Sequence, residues 1–260
     1  ECDQIRIFAL VMSFNKFFFA IWIGLLISCT TVQHVSKMEV SYDVPSRQTN
    51  PATDQVIHDM ITPYKVQLDA HMNDVIATLD TELSKAQPES TMGDWITDAM
   101  MAGIAREGLK ADFATHNYGG MRVPVITTGP LTIGEIYELS PFDNTLMIVD
   151  VPGNIVDSLF QYIAARNGWP VSNNVRMVIK GGKVASCLIN DKPVDSATLY
   201  KVAVPDYVAN GGDDARFMIG LSRLQTGYLV RDMLIQYAME TTRQGQHIHQ
   251  ELQGRIINQH

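Results

Sequence analysis

The sequence is poor in cysteine. Its three cysteines, Cys2, Cys29 and Cys187, form no CxxC spacing, which excludes a disulfide framework and a cysteine-built zinc site. Positive charge is also scarce: 20 Lys and Arg stand against 28 Asp and Glu, for a net charge of −8. Non-specific nucleic-acid binding needs a basic footprint to displace phosphate counterions, so that class of partner is excluded. A small phosphorylated ligand is not, because a local group of Arg and Lys can sit on an acidic protein. The common catalytic signatures are missing too: there is no GxSxG elbow, GxxxxGK[ST] loop, GxGxxG turn or HExxH helix. No apolar run reaches the roughly 20 residues that span a bilayer as a helix.

What is present begins with an address. Phe17–Ser28 (FFFAIWIGLLIS) is an uncharged, mostly apolar run of 12 residues between Lys16 and Cys29. As a helix it would cover about 18 Å, short of the roughly 30 Å of bilayer hydrocarbon. This length suits the h-region of a signal peptide. Leu26-Ile27-Ser28-Cys29 resembles a bacterial lipobox, so residues 1–29 are expected to be a lipoprotein signal peptide with Cys29 as the lipidated residue. An ordinary signal peptide or a short membrane anchor is the alternative. Met12 makes a conventional start, and residues 1–11 then reflect the choice of start codon. Residues 30–53 are polar and carry Pro45 and Pro51. They are expected to be a tether to a bacterial cell envelope, with Met38–Val44 as one edge strand.

Apolar residues make up 46% of the chain, enough for a sizeable core. Residues 54–260 are expected to form that single domain. From Asp54 to Asp80, Val56, Met60, Val66, Leu68, Met72, Ile76 and Leu79 recur at helical spacing, which predicts a helix broken near Pro63 and packed on the next elements of the chain. A cap cluster, Pro88–Thr91, leads into a helix over Met92–Ala105 with Trp95, Ile96, Ala99, Met100 and Ile104 on one face. Ala111–Thr115 reads as a short buried strand. A turn at Gly129-Pro130 precedes a helix over Ile133–Leu139, then a strand over Leu146–Val151 and a helix over Ile155–Ala164. Val175–Ile179, Lys183–Ile189 and Leu199–Val204 read as strands. Pro205–Asp214 reads as a loop and Tyr228–Met239 as the last helix. Helices and strands alternate irregularly, which predicts an α+β (mixed α/β) domain. Cys187 reads as a buried thiol within one of the strands.

Three segments carry chemistry. His116–Arg122 (HNYGGMR) ends a strand in paired glycines, which let backbone approach a ligand, followed by an arginine able to grip a phosphate. By itself this is equally a turn with a surface arginine. Tyr207–Asp213 (YVANGGD) again joins an aromatic residue, two glycines and an acceptor, and is equally a hairpin-type turn. Ser140–Thr145 (SPFDNT) offers either a core plug, Phe142, or an exposed aromatic platform beside an amide. His116 invites a general-base role, but it has no paired nucleophile and reads as structural or ligand-adjacent.

Taken in order, these segments and their neighbours resemble the C-terminal domain of the 5′-nucleotidase family, which includes periplasmic UDP-sugar hydrolases and cyclic phosphodiesterases. The landmarks are Glu89-Ser90-Thr91-Met92-Gly93 with Asp98-Ala99-Met100, Asn117-x-Gly-Gly-x-Arg122, Gly129-x-Leu-Thr-x-Gly134-Glu135, Pro141-Phe142-x-Asn144-Thr145-Leu146 and Tyr207-x-x-x-Gly211-Gly212-Asp213. They run from about Pro63 to about Ile248. The resemblance implies that Phe142 and Tyr207 sandwich a nucleobase, that Asn144 and Asp213 contact base edge and ribose, and that Arg122 binds phosphate beside a loop of Asn117, Gly119 and Gly120. Gly211 and Gly212 belong to the same substrate-binding set.

Two departures from the family qualify this reading. The stretch upstream of Met92-Gly93, where members carry further phosphate-binding arginines, is Glu82–Gln87 with only Lys85. The family's hydrolytic chemistry belongs to an N-terminal metallophosphatase domain holding two metal ions. No Gly-Asn-His motif of such a domain occurs, and none of the seven histidines is expected to ligate metal. Neither a catalytic residue nor a metal or other cofactor is therefore expected in this chain; divalent metals are expected only in a partner metallophosphatase. The expected role is nucleotide or nucleoside binding alongside that partner. The alternative is a stand-alone binding lipoprotein or an inactive scaffold. His247 and His249 are expected to lie in a solvated tail.

Overall fold

The computed structural model describes residues 55–259. The expected signal peptide with its lipidated Cys29, the expected tether and the expected Met38–Val44 strand lie outside these residues.

A central four-stranded sheet organises the domain. Its strands are β3 (Phe113–Ala114), β6 (Thr145–Pro152), β10 (Leu199–Pro205) and β11 (Arg223–Leu229), in the order β11-β6-β10-β3. β10 runs parallel to β3 and antiparallel to β6. Side chains alternate along a strand, and both faces of this sheet are covered. Leu146, Ile148 and Ala203 enter one core, with α2 (Thr91–Arg106), α3 (Ile133–Leu139) and α6 (Val230–Arg243). Met147, Val149, Val151, Val202 and Val204 enter the other, with α4 (Gly153–Ala165) and the sheet of β7 (Val175–Lys180), β8 (Lys183–Ile189), β9 (Lys192–Pro193) and β12 (Ile256–Gln259). Burial on both faces explains the nearly unbroken apolar run LMIVDV. The arrangement is mixed helix and sheet, as the irregular alternation predicts.

The cap predicted within Pro88–Thr91 is real, and the structure adds a second one. Ser90 Oγ accepts from the Gly93 N–H at 3.0 Å to start α2, and Trp95, Ile96, Ala99, Met100 and Ile104 are all buried. Thr132 and Glu135 form a reciprocal capping box that starts α3 at Ile133.

Four expectations need correction. The helical spacing over residues 54–80 belongs to two elements: α1 (Gln55–Met72), which runs through Pro63, and β1 (Val75–Leu79). β1 pairs antiparallel with β5 (Gly129–Thr132), so Ile76 and Leu79 face the core from a strand. Met60, Val66 and Leu68 do not pack on later elements; they stand exposed, as do Ile57, Ile61 and Tyr64. An apolar stripe reports which side of a helix would be buried, not whether a partner reaches it. Tyr228 and Leu229 end strand β11, and the last helix begins at Val230. The stretch around His247 and His249 is no tail: Ile248 exchanges backbone hydrogen bonds with Thr78 and Asp80, and β12 adds a strand parallel to β7. The two imidazoles face solvent, His247 beside Asp80 and His249 beside Glu251. Cys187 is half-buried rather than buried, its thiol pushed up to about 12 by desolvation and by Asp157.

One short pairing completes the layout, β2 (Leu83–Ser84) with β4 (Val125–Ile126), and a helical turn, α5 (Asp206–Ala209), opens the segment read as a loop.

Candidate functional site

The sheet topology gathers the three chemical segments. Because β10 is parallel to β3 and antiparallel to β6, the C-terminal ends of β3 and β10 and the start of β6 share one edge of the sheet. The segments leaving that edge are 116–122, 140–144 and 206–214. Asn117, Gly119, Gly120, Arg122, Phe142, Asn144, Tyr207 and Asp213 line one cleft of about 250 Å³. Eight of the ten substrate-binding residues named from the sequence therefore meet in one place. Gly211 and Gly212 border a neighbouring open depression with Asp206 and Asn210, which shares Asn144 and Tyr207 with the cleft.

Asp213 ties the segments together. Its Oδ2 accepts from Asn117 Nδ2 at 2.8 Å and its Oδ1 from the Tyr207 hydroxyl at 3.0 Å. Its own N–H donates to the Tyr207 oxygen at 3.2 Å. Its carbonyl accepts from the Tyr162 hydroxyl and from Arg166 Nη2. These contacts hold Asp213 in the left-handed region, at φ 52°, which Asp tolerates better than most residues. A carboxylate only accepts, so the amide of Asn117 must turn its nitrogen to Asp213. That leaves Asn117 Oδ1 buried and without a hydrogen-bond partner among the described residues.

Two glycines are required by close approach. A Cβ on Gly120 would come within 2.4 Å of His116 Cε1 and 3.0 Å of Asn117 Oδ1. A Cβ on Gly212 would come within 2.5 Å of the Tyr207 ring. Gly212 thus backs the ring while Asp213 fixes its hydroxyl. His116 lies beneath the 117–120 turn, where its Nδ1 donates to the Asn117 carbonyl at 3.0 Å. Desolvation pushes its pKa down to about 4, so the imidazole is neutral at pH 7 and serves as a structural prop.

Phe142 stands 45% exposed and no core plug; Tyr207 is equally exposed. The Arg122 guanidinium lies 5.4 Å from the Phe142 ring centroid, and Arg122 Nη1 donates to the Gly119 carbonyl at 3.4 Å. Lys85, the remaining upstream cation, does not line the cleft. Its ammonium donates to the Met121 carbonyl at 2.8 Å and sits over the Tyr118 ring, bracing the 117–122 segment from behind. Burial, and secondly the charge of Arg122, lower its pKa.

Three contributors carried no sequence signal. Tyr162 and Arg166 on and after α4 reach Asp213, and Arg231 on α6 reaches the Phe142 segment. None of them sits in a motif, and each is 47 or more residues from the group it holds. Asp69-Ala70-His71, the chain's one Asp-x-His run, is on the surface of α1, with Asp69 paired to Lys65 and His71 to Asp74. Among the described residues, no three His, Cys, Asp or Glu side chains are grouped to hold a metal ion. Among the described residues, no helix is long and apolar enough to cross a membrane.

Residues 75–219 match the family described as "5′-nucleotidase, C-terminal domain". Protein UshA of Yersinia enterocolitica is 30% identical over 195 residues, covering 72% of this chain and 34% of the relative. A cell wall protein of Listeria monocytogenes, Lmo0130, is 26% identical over 71% of this chain and 26% of its own length. The chain thus spans about a third or less of these curated relatives. The crystal structure of a 5′-nucleotidase precursor from Thermus thermophilus superposes with a TM-score of 0.66 at 27% identity, covering 79% of this chain and 43% of that one.

Proposed function

Since the chain belongs to the 5′-nucleotidase C-terminal domain family, we propose that its cleft binds a nucleotide or nucleoside, the base between Phe142 and Tyr207. The observation that carries this reading is the convergence of eight residues, from three separate segments, on one cleft. Two aromatic walls suit any base, because stacking uses the π-face that all bases share, at about 1–3 kcal/mol per contact. Asn144 and Asp213 supply the amide and carboxylate for base edge and ribose hydroxyls. Arg122 is the phosphate cation.

The cutting belongs to a partner in this reading: a separately encoded metallophosphatase supplies the two metal ions and the activated water. The resemblance of the Leu26–Cys29 tetrad to a lipobox, and the cell wall relative, support an envelope location with a lipid on Cys29.

Calorimetric titration of the chain with adenosine and adenosine monophosphate is the first test. Saturable binding of either is expected. Absence of binding to every nucleoside and nucleotide tried at millimolar concentration would end the proposal. Adding a metallophosphatase domain and Mn²⁺ should then produce phosphate release that neither component gives alone. Metal-dependent turnover by this chain alone would remove the partner from the reading.

One observation favours the stand-alone alternative in part. Lys85 is engaged behind the 117–122 segment, so Arg122 is the one cation lining the cleft among the described residues. A stand-alone binder would prefer nucleoside to monophosphate, and the same titration reads that ratio.

A further inference from the structure

Phe142 has no polar atom by which its ring could be tethered, and its segment, Ser140–Asn144, crosses the rim of the cleft between α3 and β6. Its backbone is nevertheless held, and from one place. Arg231, in the first turn of α6, donates through Nη1 to the carbonyls of Ser140 at 3.3 Å and Phe142 at 3.4 Å. Its Nη2 donates to Asp143 Oδ1 at 2.6 Å. The guanidinium lies over the Tyr137 ring at 4.1 Å. One residue earlier, the Val230 N–H donates to the Asn144 carbonyl at 2.9 Å. The start of α6 therefore grips Ser140, Phe142, Asp143 and Asn144 together.

The burial is uneven. Arg231's side chain is 7% exposed, whereas that of its carboxylate partner Asp143 is 77% exposed. A buried cation is costly unless several acceptors compensate it. Here two main-chain carbonyls and a ring face supply much of that compensation, and both carbonyls belong to the Phe142 segment. The planar fork meets the two carbonyls through one nitrogen and the carboxylate through another, a spread that the single nitrogen of an ammonium does not match.

We propose that Arg231 is a positioning residue for the aromatic wall. It fixes the backbone of Phe142, and with Val230 that of Asn144, so that ring and amide are in place before a ligand arrives. A rim segment ordered in advance spares the ligand the entropy of ordering it. This inference rests on the nucleoside-binding reading of the cleft and adds to it what holds one wall.

A double-mutant cycle tests it. Adenosine is titrated calorimetrically into the native chain, Arg231→Met, Phe142→Ala and the double variant, each checked for cooperative thermal unfolding. Arg231→Met is expected to weaken binding about tenfold, the order of one lost base–aromatic contact. In the Phe142→Ala background the same change should cost less than about twofold, because coupled residues are not additive. Arg231→Lys should fall between native and Arg231→Met. Equal losses in both backgrounds would overturn the proposal, since a general loosening of the domain does not depend on Phe142. If Arg231→Met does not fold, Asp143→Asn enters the same cycle, and no weakening in the native background would overturn the proposal.

Amide hydrogen exchange of the ligand-free chain separates this inference from the function it rests on. Faster exchange confined to residues 140–144 in Arg231→Met, or in Asp143→Asn, is expected whether or not a nucleoside binds. Unchanged exchange there refutes the positioning role, even if the native chain binds adenosine as proposed.

Discussion

The two walls of the cleft are alike in exposure and unlike in construction. Phe142 and Tyr207 are each 45% exposed. Tyr207 is held by its own side chain, its hydroxyl tied to Asp213 and its ring backed by Gly212. Phe142 is held through main chain, by donors from Arg231 and Val230. An aromatic ring can thus be placed by a polar handle or by a fixed backbone, and the choice decides which substitutions it feels. A tyrosine wall should be sensitive to its hydroxyl partner, a phenylalanine wall to a helix that never touches the ligand.

The largest expected effect removes both walls. Phe142→Ala with Tyr207→Ala should weaken adenosine binding by at least about thirtyfold, since each stacked contact contributes about 1–3 kcal/mol. Calorimetry with a thermal-unfolding control reads this, and a loss below tenfold would mean that the base lies elsewhere.

Next is the floor beneath the Tyr207 side. Gly120→Ala drives a methyl group into His116 and should cost about 1–3 kcal/mol of stability, as overpacking does. Gly119→Ala should cost far less, because its Cβ would meet only Asn117 Nδ2 and Asp213 Oδ2, each at 3.8 Å. Paired urea titrations compare them; equal costs would contradict the buried seat of His116.

The same histidine gives a pH dependence. Its folded pKa, pushed down to about 4, lies below the ordinary 6.5, so the unfolded chain binds its proton first as pH falls. Stability from this group is complete above pH 6.5 and is lost on acidification towards 4, by about 2 kcal/mol between pH 7 and pH 5. His116→Asn should flatten that part of the profile in denaturant titrations. Asp94, on α2, acts with the opposite sign. Desolvation raises its carboxyl to about 8 against the pull of Arg255, so its contribution declines as pH rises from about 4 to about 8.

The smallest effect sharpens the contrast between walls. Tyr207→Phe keeps the ring and removes the handle, and should weaken binding by about 1 kcal/mol, the net value of an ordinary hydrogen bond. The weakening should vanish when Asp213→Ala is already present. A Tyr207→Phe effect that persists in the Asp213→Ala background would show that the hydroxyl acts on the ligand directly.

Much of this was legible in the sequence, and the reasons differ by element. α2 and α3 were readable because cap, amphipathic face and length all agree locally: Ser90 before Trp95 and Ile96, and Thr132 with Glu135 around Ile133. Strands β3, β6 and β10 of the central sheet were readable because burial on both faces demands apolar runs. α1 and β1 were misread because Val75–Leu79 continues the helical spacing of the residues before it. A strand wins there because β5 offers a ladder that no local pattern announces. β11 was missed because its exposed, mixed composition (RLQTGYL) carries no alternation of its own; β6 pairs with it.

The candidate site divides in the same way. Sequence by itself determined its chemistry: which segments end in glycines, where aromatic rings, amides, a carboxylate and an arginine stand, and the caps that set the helices around them. These are local properties, fixed by residue type and spacing. Tertiary structure alone decided what each group is free to do. It turned Lys85 away from the cleft and into a brace, made His116 a neutral prop and left α1's apolar stripe uncovered. It also brought Arg231 beneath Phe142, 89 residues away. The physical reason is that a buried donor or cation settles wherever its acceptors are best satisfied, and those acceptors are main-chain groups that any residue can supply.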